Sequence, residues 1–400
     1  MLKIALYIQV MKSIEIRNII LCILLCVLMF SCVGDSTGTL TISFNPTKEL
    51  NSIFDTGIIK GVKLIKLESD GCVVGKIDKI ISNDSLLYIM DSSITKEVYV
   101  FSRNGRFVNK ISRHGHGKYE YSQLWDIFFD KDKNALCLLS RFDQKIILFT
   151  PDGGKVLEER KLPKMFGHIV PTSNGFIGYM DNYSQDPNMP YNLWIMDKSF
   201  NLQEGFLRIN PQLESSILFD VSSLSVFGNI IYFKPEYVNT IYQIKDGKVS
   251  ERYKLDFGSK TFPELSMISF DKKEDLSHLM METITNVFNY EETDDYLLMD
   301  FIMDGQACLG IHKKSNDNSE IALLDRYEDE YIFPFGEIKG MDQSSIYSVV
   351  NYDDVYEWWL GHNEYVNFEE LYPKQISNLR RLFPKLEEEG NPFVAIYSLK

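Results

Sequence analysis

Leu86-Leu87-Tyr88-Ile89-Met90-Asp91, Val98-Tyr99-Val100-Phe101, the turn Arg103-Asn104-Gly105 and Phe107-Val108-Asn109-Lys110-Ile111 follow one another within residues 80–130. A Gly-rich basic loop, Arg113-His114-Gly115-His116-Gly117-Lys118-Tyr119-Glu120-Tyr121, then leads into Trp125-Asp126-Ile127-Phe128-Phe129. Apolar or alternating runs of about five residues, punctuated by Asn, Asp and Gly turns, are the pattern of antiparallel strands. The turn recurs at Gly153, Asn201 and Gly247, spacings of 48, 48 and 46 residues. Four short strands per unit at this period describe a β-propeller.

Six units account for the chain. The fifth follows an insertion near 261–285, polar and of helical character. The sixth is split by a longer insertion over 352–391, where Ile376, Leu379, Leu382 and Leu386 recur near helical spacing. A helix is expected there from Pro373 to about Phe383, because Pro384 disrupts its continuation. The sixth unit has three strands of its own. The spare run Val62-Lys63-Leu64-Ile65-Lys66-Leu67 is expected to pair with the C-terminal strand, closing the ring and removing two exposed edges. The expected fold is therefore all-β, a six-bladed propeller of four-stranded antiparallel blades over 59–400, with two mainly helical insertions on one face.

The first residues read as an address. Lys12 and Arg17 precede an apolar run from Ile19 to Phe30, too short for a comfortable membrane span, and Ser31-Cys32 follows. This resembles the signal of a bacterial lipoprotein, which implies cleavage before Cys32, lipid on Cys32 and a linker over 32–58. Val33 rather than Asp after the cysteine argues against inner-membrane retention and for an outer-membrane lipoprotein of the cell envelope. Removing residues 1–31 reduces 42 bases and 56 acids to 39 and 55, a net charge of −16. That excess disfavours nucleic acid and leaves the lipid as the expected membrane contact. Cys72, Cys137 and Cys308 lie far apart, mostly within apolar runs, and read as buried thiols rather than a disulfide framework.

Phe101-Ser102-Arg103-Asn104-Gly105-Arg106-Phe107, the loop Gly115–Tyr121 and the ending Asn391-Pro392-Phe393 to Leu399-Lys400 resemble the six-bladed propeller lipoproteins of Bacteroidota, relatives of NHL-repeat and TolB-like propellers. The family loop more often reads Gly-x-Gly-Pro-Gly-Glu-Tyr; here Lys118 and Tyr119 replace Pro-Gly. The resemblance implies the fold and says little about activity.

In a propeller whose units run from inner to outer strand, blade-linking loops and second-to-third-strand loops share one end of the ring. The loop Arg113–Tyr121 and both insertions fall there, so a partly covered pocket is expected over the central channel. Candidate ligand-binding residues on this rim are Arg113, His114, His116, Lys118, Arg141, Lys234, Tyr237, Trp358 and Trp359, with Tyr183, Asp300 and Asp353 nearby. Aromatics beside charges suit a glycan or peptide, and an envelope protein is a further possible partner. Trp358 and Trp359 equally suit docking of the C-terminal helix. Asp78, Asp126, His168 and Asn286 fall near the starts of innermost strands, at the channel mouth. Calcium-dependent lactonases and NHL-type lyases with six blades place such residues there, so Ca²⁺ and metal-assisted hydrolysis or elimination form the alternative reading. Two carboxylates and one amide fall short of the six to eight oxygens Ca²⁺ takes. No nucleophile elbow or P-loop is present, no metal-ligand spacing stands out, and a monomeric binding module is the leading expectation.

Overall fold

The computed structural model describes residues 39–47, 51–211, 224–268, 273–324 and 336–400; the signal segment and Cys32 lie outside them. Six sheets form the blades. Blade 1 holds Lys79–Ser82, Leu86–Asp91, Glu97–Ser102 and Phe107–Ile111, and blade 2 holds Asp126–Asp130, Ala135–Ser140, Lys145–Phe149 and Val156–Lys161. Blade 3 spans His168–Thr172 to Leu202–Arg208, blade 4 Leu224–Phe227 to Lys248–Asp256, and blade 5 Asn289–Glu292 to Asn318–Leu323. Blade 6 joins Glu337–Asp342, Ser345–Val350 and Phe393–Leu399 to Ile59–Lys66 from the other end of the chain. Each first strand touches the first strands of both neighbouring blades, which closes the ring around a central channel.

The period-2 alternation of side chains explains why the middle strands read as continuous apolar runs. In blade 2, Leu136, Leu138, Ile147 and Phe149 pack with Tyr88, Met90, Val98 and Val100 of blade 1. The intervening Cys137, Leu139, Ile146 and Leu148 pack instead with Phe176, Trp194 and Met196 of blade 3. Each blade is thus a core for two neighbours, and its outermost strand turns polar side chains to solvent, as in Val156–Lys161.

Ring closure follows the sequence expectation, with the closing strand starting three residues earlier. Phe393 pairs with Lys66 and Ser398 with Gly61, and a register shift at Leu399 brings in Ile59. The turn at Gly105 locks blade 1 onto this strand. Glu68 N donates to Gly105 O at 2.9 Å, and Phe107 N donates to the Glu68 carboxylate at 2.7 Å. Gly105 has φ +85°, and a Cβ there would lie 2.1 Å from Lys66 O. Gly105→Ala is expected to cost at least about 1–3 kcal/mol from the backbone alone, read as a lower urea midpoint with unchanged slope.

Part of the segment expected as a linker over 32–58 is built into the blades. Leu40–Ser43 adds a fifth strand to the outer edge of blade 4, and Asn51–Ser52 pairs in parallel with blade 5. Buried Ile42, Phe44, Ile53 and Ile58 hold this segment down. Ser52 and Asp55 form a reciprocal cap over the 3-10 turn Ile53–Thr56, which leads the chain to blade 6. Two blade edges are covered as a result.

Both insertions leave the end of the ring that carries the blade links. The first contains short 3-10 turns and the helix Lys273–Glu282; the second contains Tyr352–Leu360, Phe368–Leu371 and Pro373–Leu382. Hydrogen bonds between blade links and second-to-third-strand loops confirm that the two loop sets share this end. Asp78 accepts from Ser92 N and Ser93 N, Asp143 accepts from Ser122 N, and Asn239 Nδ2 donates to Phe262 O.

Candidate functional site

The channel forms a cavity of about 1790 Å³ lined by the first strands of all six blades. At the linking end, three of those strands begin with Lys79, Asp126 and His168. Lys79 Nζ donates to Asp126 Oδ1 at 2.6 Å, and His168 Nδ1 lies 3.0 Å from Asp126 Oδ2. The far side of the imidazole, Nε2, stands 3.9 Å from Asp181 Oδ1, and Asp181 Oδ2 accepts from Arg141 Nη1 at 2.6 Å. The result is a line of alternating charge across blades 1 to 3.

A hydrogen-bonded belt continues it. Asn182 Nδ2 donates to Glu236 Oε2 at 3.1 Å, and Tyr237 N donates to Asn286 Oδ1 at 3.2 Å. Asp181, Asn182 and Tyr237 all hold left-handed backbone, at φ 50°, 53° and 57°. Aromatic rings frame the belt: Arg141 lies over the Trp125 ring at 4.6 Å, Phe142 meets Trp125 edge-on, and Tyr183 is 5.9 Å from the same guanidinium.

The structure brings Asp126 and His168 together but not Asp78 and Asn286 with them. Both oxygens of Asp126 are engaged by Lys79 and His168, Asp78 is held by Lys76, Ser92 and Ser93, and the Asn286 carbonyl is taken by Tyr237. Among the described residues, no group of three or more His, Cys, Asp or Glu is arranged to hold a metal ion. The four mouth residues therefore do not fit a Ca²⁺ site, whose ligands must leave oxygens free to converge.

Of the rim candidates, Arg113, His116 and Lys118 are exposed. His114 Nε2 sits 3.1 Å from Lys96 O, and Lys118 lies over Tyr119 at 4.6 Å. The glycines of this loop make room for Glu120, since a Cβ on Gly115 would fall 2.0 Å from its carboxylate, which also accepts from Gly117 N. Arg141, Lys234 and Tyr237 belong to the belt and are buried. Trp358 stacks on Phe368 at 4.5 Å and meets Tyr372 at a tilt at 5.2 Å, and Trp359 Nε1 donates to Phe383 O at 2.8 Å. Both tryptophans hold the helical insertion together.

Burial sets the protonation of the mouth. Burial alone would raise the Asp126 carboxyl, but the charges of Lys79 and His168 outweigh it and hold the group at about 2. Desolvation pushes Glu236 up to about 8, helped by neighbouring Asp181, and lowers Lys234 to about 8. Two acids that line the cavity itself are also raised by desolvation, Glu291 to about 8 and Asp300 to about 7. Lys79, Trp125, Asp181, Asn182 and Glu236 were missed from sequence. The signal that finds them is positional: each begins a first strand, directly precedes one, or lies two or three residues beyond a second strand.

Residues 41–398 match the family described as Domain of unknown function (DUF4934), and the chain belongs to that family. No curated protein matches it. A Bacteroides fragilis NCTC 9343 protein described as exported has a similar structure, with TM-score 0.72 and 20% identity, covering 90% of this chain and 99% of its own. A DUF4221-family member from Bacteroides vulgatus ATCC 8482 is also similar, with TM-score 0.52 and 8% identity, over 86% of this chain and 97% of its own. At these identities the likeness establishes the fold.

Proposed function

We propose that this propeller is an exported, envelope-anchored binding module that takes a glycan or peptide at the linking end of its channel. One observation carries the reading. Large apolar side chains left exposed gather on loops of that end, among them Ile94, Phe142, Tyr183, Met267, Met281 and Tyr365. The opposite end is built from Asn, Asp, Gly and Ser hairpin turns such as Asn83-Asp84-Ser85 and Asp152-Gly153. Apolar surface rimmed by polar groups marks recognition, and the belt supplies orienting polar groups below it. A glycan and peptide screen of the purified protein tests this: a captured ligand should protect the loops around Arg141 and Asp181 from hydrogen exchange, and protection confined to the hairpin end would refute it.

Export and the lipid anchor rest on the signal-like start and on the exported description of the B. fragilis neighbour, and kinship with NHL-repeat and TolB-like propellers on the resemblance of the loop and turn. Palmitate labelling should be lost on Cys32→Ala; unchanged labelling rules out lipid at that residue.

A second reading, metal-free proton transfer, is favoured by the pairing of His168 Nδ1 with Asp126, which orients the ring with Nε2 towards Asp181. Conversion of the captured ligand by wild type but not by His168→Asn would support it, and ligand recovered unchanged would refute it.

A further inference from the structure

The strand Leu40–Ser43 fixes the end of the ring from which the chain arrives. Phe44 N donates to Asp256 O at 2.7 Å, and Ser43 Oγ donates to the Asp256 carboxylate at 3.3 Å. Asp256 is the last residue of the outer strand of blade 4, Lys248–Asp256. The two strands therefore finish side by side and run in the same direction. The outer strand starts at the hairpin turn Asp246-Gly247 and ends at the blade link, so the chain enters from the hairpin side. Thr41 stands three residues before Phe44 and thus level with Tyr253, five residues or roughly 17 Å from the hairpin tip at Lys248.

That tip carries an unfavourable pair. Lys245 and Lys248 face each other across the hairpin, and both are exposed. Neither makes an ion pair among the described residues, with Asp246 in the turn between them or with any other acid. Like charges directly opposite on a sheet repel. Charge also divides unevenly between the two ends of the ring. The eleven hairpin turns that join strands carry seven acids and seven bases, whereas the second insertion at the linking end, residues 351–392, carries nine acids against four bases. An anionic surface repels the linking end far more than the hairpin end.

We propose, resting on the lipid anchor at Cys32 read above, that the hairpin tip of blade 4 lies against the anionic headgroups of the membrane that holds the lipid, with the linking end pointing away. Nine residues lead from Cys32 to Thr41, a tether of at most about 32 Å, which covers the distance to the tip. Length alone permits either end to face the bilayer; the direction of entry, the lysine pair and the charge distribution select the hairpin end. At the headgroups Lys245 and Lys248 meet phosphates in place of each other, and each favours anionic over neutral lipid by about fivefold. The exposed rings of Phe142, Tyr183 and Tyr365 at the linking end are then left open to a ligand arriving from the side away from the membrane.

Quenching of a dye on the full-length lipidated protein by nitroxide-headgroup lipid, in phosphatidylethanolamine–phosphatidylglycerol vesicles, tests the proposal. Cys72, Cys137 and Cys308 are buried, so a thiol-reactive dye reports introduced cysteines. Ser199→Cys and Ser315→Cys place it on hairpin turns beside blade 4, and Lys118→Cys and Ser266→Cys on linking-end loops, all at exposed positions. The hairpin labels should be quenched several times more strongly than the linking labels. Lys245→Gln with Lys248→Gln removes the repulsion and should not lower the melting temperature, but should narrow that ratio, as should phosphatidylcholine vesicles. Equal quenching at both ends, stronger quenching at the linking end, or a ratio unchanged by the double variant would each overturn the proposal while leaving the anchor intact. Protein that stays off the vesicles and takes no palmitate at Cys32 overturns the anchor and the proposal with it.

Discussion

Asp126→Asn is expected to destabilise the protein by about 3 kcal/mol at pH 7, measured by urea denaturation. The substitution preserves volume but removes the charge that Lys79 and His168 share, and leaves Lys79 against a buried amide. The Lys79 side chain keeps 23% exposure, so water recovers part of the loss and the lower end of the range for broken buried pairs applies. A Lys79→Met, Asp126→Leu double variant should recover most of the stability, because it removes both charges together. The sign of the pH effect follows from the Asp126 carboxyl being held at about 2. Its contribution is complete above the unfolded value of about 4 and is lost as pH falls through 2.

The protein should also be more stable at pH 5 than at pH 8, by on the order of 5 kcal/mol. Glu236, Glu291 and Asp300 are buried acids whose folded-state values are raised to about 8, 8 and 7, chiefly by desolvation. A raised value means that the stabilising protonated form is fully present below the unfolded pKa and is lost as pH climbs through the folded one. Asp126 does not offset this slope, because its own window lies below pH 4. Glu291 is the cleanest test, since it lines the channel away from the belt and its hydroxyl partner is Ser225, 3.1 Å away. Glu291→Gln should remove roughly a third of the slope and raise stability at pH 8; an unchanged slope would mean that Glu291 is ionised in the folded protein.

Blade architecture was legible because it is encoded locally. The run Val98–Phe101 and the turn at Asn104-Gly105 carry strand and hairpin chemistry within eight residues, and their recurrence every 46–48 residues gives the number of blades. Closure by the N-terminal strand followed from counting strands, and the rim position of the insertions from connectivity alone. The pairing of Leu40–Ser43 and Asn51–Ser52 with outer blade edges was not legible, because two to four residues show no periodicity. Trp358 and Trp359 sat on the correct loop, but only packing reveals that their rings are spent on Phe368, Tyr372 and the Phe383 carbonyl. The belt was half legible. Asp126, His168, Arg141, Lys234, Tyr237 and Asn286 were identifiable as residues near strand ends. Their partners Lys79, Asp181, Asn182 and Glu236 are distant in sequence and carry no motif, so only the ring brings them together.

The most direct test of a ligand site at the linking end compares two paired variants against any ligand captured by the wild-type protein. Phe142→Ala with Tyr183→Ala removes exposed rings above the belt, while Val108→Ala with Leu157→Ala removes exposed apolar side chains from outer strands of blades 1 and 2. The account predicts at least a tenfold loss of affinity in the first pair and none in the second; full affinity in the first pair, or equal loss in both, would contradict it.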